Sequence, residues 1–208
     1  MGFFKKNPMK GAKKPEKNSR IIGIAGAGRG TGVTHMCILT ANYMASALDR
    51  RTALIQWNDH GGLEGLREIC LADLKQCTDI EAHKYKIFGV TYYTHGSPQI
   101  LTGCLDGPYE ETIIDFGELR QEVREDWLRC SVQILMGALC EWKLKAFLGH
   151  LAEDRGGRGR RIYMAAFGSE DMRKQIERRF RITLIRVPFS ADAFSVDQGL
   201  MEWFDRIL

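Results

Sequence analysis

Residues 23–35 read Gly-Ile-Ala-Gly-Ala-Gly-Arg-Gly-Thr-Gly-Val-Thr-His. Five glycines fall within ten residues, the apolar run Ile21–Ala25 precedes them, and a stretch with helical periodicity follows. A strand, a glycine-rich turn and a helix in that order can form a nest for anions. Glycines let the backbone come close, and the free N–H groups at a helix start face the ligand. In the pattern G-x-x-x-x-G-K-[ST], the lysine meets the β- and γ-phosphates and the hydroxyl binds magnesium. Here that register reads Ala27-Gly28-Arg29-Gly30-Thr31-Gly32-Val33-Thr34. The last glycine and the hydroxyl are kept, but Ala27 replaces the first glycine and Val33 replaces the lysine. The dinucleotide fingerprint G-x-G-x-x-G also fails, because its third glycine falls on Thr31 or Val33. The phosphate-loop candidates are Gly26, Gly28, Arg29, Gly30, Thr31, Gly32 and Thr34. The plain alternative is a tight strand-to-helix turn that holds nothing.

Outward from this loop, strand-like and helix-like stretches alternate. Helical spacing runs from Thr34 to Leu48, and Thr52–Trp57 reads as a second strand. A weak helix over Leu63–Leu74 and a β-rich run over Phe88–Tyr93 follow, broken at Gly96-Ser97-Pro98. Strands are predicted at Thr112–Asp115, Val132–Met136, Ile162–Phe167 and Ile182–Val187. Helices are predicted at Leu119–Leu128, Trp142–Leu151, Glu170–Phe180 (with Ser169 as N-cap) and Ser195–Leu208. The strands are apolar with little alternation, which suits a parallel sheet covered on both faces. The expected fold is one doubly wound α/β domain over residues 21–208, mostly parallel, with helices on both faces. In such sheets ligands sit at the carboxyl ends of strands. The glycine loop, Asn58-Asp59 and Asp115 all fall there.

Apolar residues make up 44% of the 208 and charged residues 27%, a globular composition. No apolar stretch is long enough to span a bilayer, and no signal-peptide core follows the first lysines. Six scattered cysteines without a C-x-x-C pair point to a reducing compartment and away from a disulfide framework or a zinc site. The net charge of +4 is concentrated at the start, where residues 1–20 hold seven cations and the single acid Glu16. That segment reads as a basic, disordered tail, and Phe3-Phe4-Lys5-Lys6 suits peripheral contact with an anionic membrane. Arg155–Arg161 reads as a solvated basic loop without interleaved aromatics, so nucleic acid is not an expected partner. Trp142 reads as a core aromatic, and the C-terminal helix, with Leu200, Met201, Phe204, Ile207 and Leu208 on one face, reads as packing on the sheet.

Four segments carry a resemblance. "IIGIAGAGRGTGVTHMCILTANYMASALDRRTALIQWND" at 21–59 resembles the opening strand, loop, first helix and second strand of the MinD/ParA-like P-loop ATPases. "YEETIIDFG" at 109–117 resembles their Walker B strand. "RIYMAAF" and "ITLIRVPFS" resemble two late strands, with Pro188 at the family's usual proline. The likeness spans roughly 20–208 and is poor over 61–100. Within the family, the first helix and "EETIIDFG" are most similar to the TadZ/CpaE branch, which localises pilus and Tad-type secretion machinery. The family's signature lysine, which reaches a partner's ATP across a dimer, falls on Gly28, and its second lysine falls on Val33. The D-x-D of the second strand falls on Gln56 and Asn58, with Asp59 one step late, so Asn58 and Asp59 are the switch-position candidates. The adenine-reading asparagine falls in Ala165-Ala166-Phe167. Thr34 and Asp115 match the magnesium side.

Phosphoryl transfer depends on placed positive charge. With both lysines absent, the resemblance implies a degenerate member that is not an efficient ATPase, with ATP or ADP and magnesium as the only cofactors to consider. The leading expectation is a non-catalytic scaffold or localisation factor. It would be cytoplasmic or peripheral to the inner membrane, with protein partners in a pilus or secretion complex and a homodimer among its assemblies. Two alternatives stand: a slow ATP-dependent dimerisation switch in which Arg29 replaces a lysine, and a binding module for another phosphorylated ligand.

Overall fold

The computed structural model describes residues 19–72, 77–154 and 159–208. Of the tail expected over residues 1–20, residues 1–18 lie outside that set, as do Arg155 and Arg158. Arg20, counted above with the tail, is the first residue of a strand and pairs with Glu111 at 2.8 Å.

β1 (Arg20–Gly26) lies at the centre of a nine-stranded sheet. Isoleucines at 21, 22 and 24 favour the strand, and every residue from Ile22 to Gly26 is buried. β6 (Glu111–Glu118) pairs with it on one side and β7 (Val132–Ala138) on the other, both parallel. Beyond β6 come β2 (Thr52–Gln56) and β5 (Val90–Tyr93), and beyond β7 come β8 (Arg160–Phe167) and β9 (Leu184–Arg186), again parallel. Two short antiparallel strands, β3 (Cys77–Thr78) and β4 (Lys84–Ile87), complete the β5 edge. The chain leaves β1 for one half of the sheet and later returns to build the other. The end of β1 is therefore a topological switch point, where open α/β sheets bind ligands.

Both faces are covered. Ile22 and Ile24 of β1, Ile113 of β6 and Val132, Ile134 and Met136 of β7 join one cluster with α1 (Val33–Asn42) and α7 (Gln198–Ile207). Ala25, Ile114, Phe116 and Leu135 point the other way. They meet Trp127 of α4 (Gln121–Leu128), Phe147 and Leu151 of α5 (Glu141–Glu153) and Ile176 of α6 (Glu170–Phe180). The mostly parallel, doubly wound sheet expected from the sequence is the one observed.

Several boundaries differ from expectation. The first helix ends as an α-helix at Asn42 and widens into one π turn, Tyr43–Ala47. Asn42 Nδ2 donates to the Ile38 carbonyl, and Tyr43 stacks on Phe204 of α7. The break at Gly96-Ser97-Pro98 starts an unforeseen helix, α3 (Pro98–Asp106), where Ser97 Oγ accepts from the Ile100 N–H. Phe88 is not in a strand but in the tight turn between β4 and β5, with φ 46°. Between α2 (Gly62–Ala72) and β5 the polar alternation Lys84-Tyr85-Lys86-Ile87 makes a hairpin rather than another crossover. Arg160 and Arg161 open β8 instead of lying in a loop; Arg161 bonds Asp154 and Gln133. Trp142 is 79% exposed, so it is not a core aromatic. The C-terminal helix does pack on the sheet, through Leu200, Trp203, Phe204 and Ile207. Among the described residues Cys37, Cys104, Cys130 and Cys140 are free thiols, whereas Cys77 is disulfide-bonded, which the reading of a reducing compartment did not anticipate. Among the described residues no helix is long and apolar enough to cross a membrane.

Candidate functional site

The loop between β1 and α1 lies between the ends of β6 and β7, and two strand-end bonds fix it. The Ala27 N–H donates to the Met136 carbonyl at 2.8 Å, and the Leu119 N–H donates to the Gly26 carbonyl at 2.8 Å. Gly26 is the floor: a Cβ there would stand 2.2 Å from Thr31 Oγ1 and 2.9 Å from Val33 Cγ2, closer than packed atoms allow. Gly32 caps α1 in the left-handed region, φ 85°, where any other L-residue is strained. Thr31, almost fully buried, donates from Oγ1 to the Gly28 carbonyl.

Gly28 to His35, His60, Gly117 and Glu118 line an open cavity of about 330 Å³. Among the described residues, the backbone N–H groups of Gly30, Gly32, Val33 and Thr34 make no backbone hydrogen bond, while the turn at Arg29-Gly30 directs the Thr31 N–H back toward the Gly28 carbonyl. These unused donors at a helix start are what an anion would need. The Val33 side chain is 7% exposed and belongs to the core, so it adds no cation. Arg29 Nη2 donates to His60 Nδ1 at 3.3 Å on the rim.

Asp115, near the end of β6, lies beneath the loop and is 1% exposed. Its Oδ2 accepts from Thr34 Oγ1 at 2.7 Å, and its Oδ1 accepts from Asn58 Nδ2 and the Gly117 N–H, both at 2.9 Å. Burial pushes this carboxyl above its ordinary value, while the Thr34 and Gly117 hydrogen bonds, the charge of His60 and the Asn58 hydrogen bond pull it down. The two positions of the second-strand motif are occupied within the fold. Gln56 Nε2 donates to the Asn58 carbonyl, and its Oε1 accepts from the Leu63 N–H at 2.7 Å. Asn58 Oδ1 accepts from the His60 N–H.

The structure thus brings Gly28–Thr34, Asp115 and Asn58 together. Gly26 supports the loop from below without lining the cavity, and exposed Asp59 makes no hydrogen bond or ion pair among the described residues. Sequence reasoning missed Lys143. From the first turn of α5 its Nζ donates to the carbonyls of Arg29 at 2.7 Å and Gly30 at 3.2 Å. The signal was the lysine beside Trp142, on the helix that follows a strand neighbouring β1. A second, mostly apolar cavity of about 390 Å³ adjoins the first through Thr31, Gly32 and His35; Phe167, Pro188 and Phe189 form its far side.

The donor set tests the fit of a magnesium nucleotide. Free loop N–H groups and the Thr34–Asp115 pair suit phosphates and magnesium, and Phe167 and Pro188 offer apolar walls for a base. Val33, Gln56 and Asn58 stand where the resemblance places a lysine and two carboxylates.

No family model and no curated protein matches the chain. Solved structures do. A plasmid partition protein of Borrelia burgdorferi bound to AMPPNP superposes with TM-score 0.62 at 12% identity, covering 91% of this chain and 96% of the other. The MinD cell division protein of Aquifex aeolicus gives 0.55 at 13%, over 83% and 83%. The fold is that of the ParA/MinD P-loop ATPases. A ParA of pNOB8, bound to nonspecific DNA, gives 0.55 at 13% identity over 91% and 92%. At these identities the likeness concerns the fold.

Proposed function

We propose that the protein is a degenerate ParA/MinD-fold scaffold or localisation factor whose loop still accepts a phosphate-bearing ligand but does not turn it over. One observation carries this reading. Gln56 and Asn58 replace the carboxylates that would position water, and both side chains are satisfied inside the fold. Thr34 and Asp115 would hold magnesium, and the N–H groups of Gly30, Gly32, Val33 and Thr34 the phosphates. A bound phosphate group would supply negative charge at the loop; the loop N–H groups would bind and orient it, and Gln56 and Asn58 offer no carboxylate at the second-strand positions. The assembly, a Tad-type pilus or secretion apparatus at the inner face of a membrane, rests on the likeness of the first helix and "EETIIDFG" to the TadZ/CpaE branch.

A second reading, the slow dimerisation switch, is favoured by Arg29, whose guanidinium sits on the cavity rim. A polyanionic partner has one observation of its own. Lys174, Arg178, Arg179 and Arg181 are exposed on α6 and its C-cap, with no carboxylate within ion-pair distance among the described residues. Cellular localisation of a fluorescent fusion carrying Thr34→Val separates the first two. A scaffold keeps its wild-type position, whereas a nucleotide switch loses it.

A further inference from the structure

We infer that Lys143 is a positioning residue for the phosphate loop, supplying from α5 fixed positive charge behind a loop in which Val33 stands at the lysine position. The inference rests on the reading of the loop as a phosphate site. In a planar trans peptide the C=O and the following N–H point in opposite directions. Lys143 Nζ holds the carbonyls of Arg29 and Gly30, so the N–H groups of Gly30 and Thr31, which share those two peptide planes, face away from it. Gly30 and Thr31 line the cavity and Lys143 does not, so the side away from Lys143 is the cavity side. The ammonium thus fixes the two peptide planes of the loop, leaves the Gly30 N–H on the side away from it, and adds its own charge behind the loop.

Its placement suits an anion site better than a purely structural contact. Among the described residues no carboxylate lies within 4.0 Å of Nζ, so the charge is not compensated by an ion pair. Lys143 also lies in the first turn of α5, where the helix dipole disfavours a cation. An anion in the cavity would reverse both disadvantages. Val33, where a loop lysine would stand, is buried and apolar, and Arg29 is turned to His60. Glu118 on the cavity wall opposes an anion, which makes fixed positive charge at the loop more necessary.

The test is calorimetric titration of ATP with magnesium, and separately of inorganic tripolyphosphate, into the full chain. The variants are Lys143→Ala, Lys143→Met and Lys143→Arg, each checked by thermal melting. The wild type is expected to bind both ligands. Lys143→Ala and Lys143→Met should weaken both by about 10- to 100-fold, the range for hydrogen bonds to charged groups. Lys143→Arg should recover most of the loss, and melting should stay at the wild-type temperature because the side chain is half-exposed. Undiminished binding in the alanine and methionine variants overturns the inference alone. Failure of Lys143→Arg to recover affinity also overturns it, since charge at that place is the claim. A wild type that binds neither ligand at millimolar concentration overturns the phosphate reading of the loop, and this inference with it.

Discussion

Thr34 Oγ1 donates a 2.7 Å hydrogen bond to Asp115 Oδ2, tying the first turn of α1 to the end of β6. The bond closes the floor of the loop with a carboxylate that is almost wholly buried, so it governs both stability and ligand capacity.

Because burial raises Asp115, the folded state holds its proton more tightly than the unfolded chain does. Its contribution to stability is greatest at acid pH and falls as pH rises from its ordinary value of 3.8 through the raised folded value. Asp115→Asn, similar in shape and neutral, removes that dependence. Melting curves across pH should show the variant gaining on the wild type from acid to neutral pH, with magnesium-nucleotide binding lost. A constant difference at every pH refutes the raised value.

Gly26→Ala places a methyl 2.2 Å from Thr31 Oγ1. The loop must shift, at about 1–3 kcal/mol, the usual cost of overpacking. Denaturant midpoints should fall accordingly and ATP binding should vanish, whereas Gly28→Ala, whose Cβ meets nothing within 4 Å, should change neither.

Lysines at Gly28 and Val33 should lower stability, because the Val33 side chain belongs to the core, yet tighten magnesium-ATP binding about tenfold through charge-assisted hydrogen bonds. Phosphate release should stay at background, because Gln56 and Asn58 still offer no carboxylate. Turnover by the double variant would show that the lysines alone were limiting.

Thiol labelling follows burial. Burial raises the Cys104 thiol to about 11 and the Cys130 thiol to about 12, and burial followed by the Asp115 charge raises Cys37. Cys140 is half-exposed. Among these four, brief alkylation of the native protein followed by peptide mass spectrometry should mark Cys140, and the other three only after unfolding.

The sheet was legible because its strands are buried on both faces: Thr52–Gln56 and Val132–Ala138 are apolar or neutral throughout, a pattern that few other structures produce. The loop was legible from Gly26 to Thr34 because glycines spaced that closely serve backbone geometry. The hairpin of β4 and β5 was not, since Lys84-Tyr85-Lys86-Ile87 is a short amphipathic edge with no crossover signal. Helix α3 was hidden by Pro98, which breaks a strand but also opens a helix at its first position. Lys143 escaped because its contact spans more than a hundred residues and depends on α5 starting beside the loop. Trp142 was misplaced because a large aromatic in an amphipathic helix is usually core, while here it sits at the exposed start of α5.

Binding without turnover is what separates a degenerate loop from a working ATPase. The most direct measurement follows radiolabelled γ-phosphate release from ATP with magnesium, at protein in excess of nucleotide, beside equilibrium binding on the same sample. Saturable binding that Thr34→Val weakens is expected, with release no faster than in buffer. Release above background that Thr34→Val abolishes would contradict that expectation and establish an ATPase built without loop lysines.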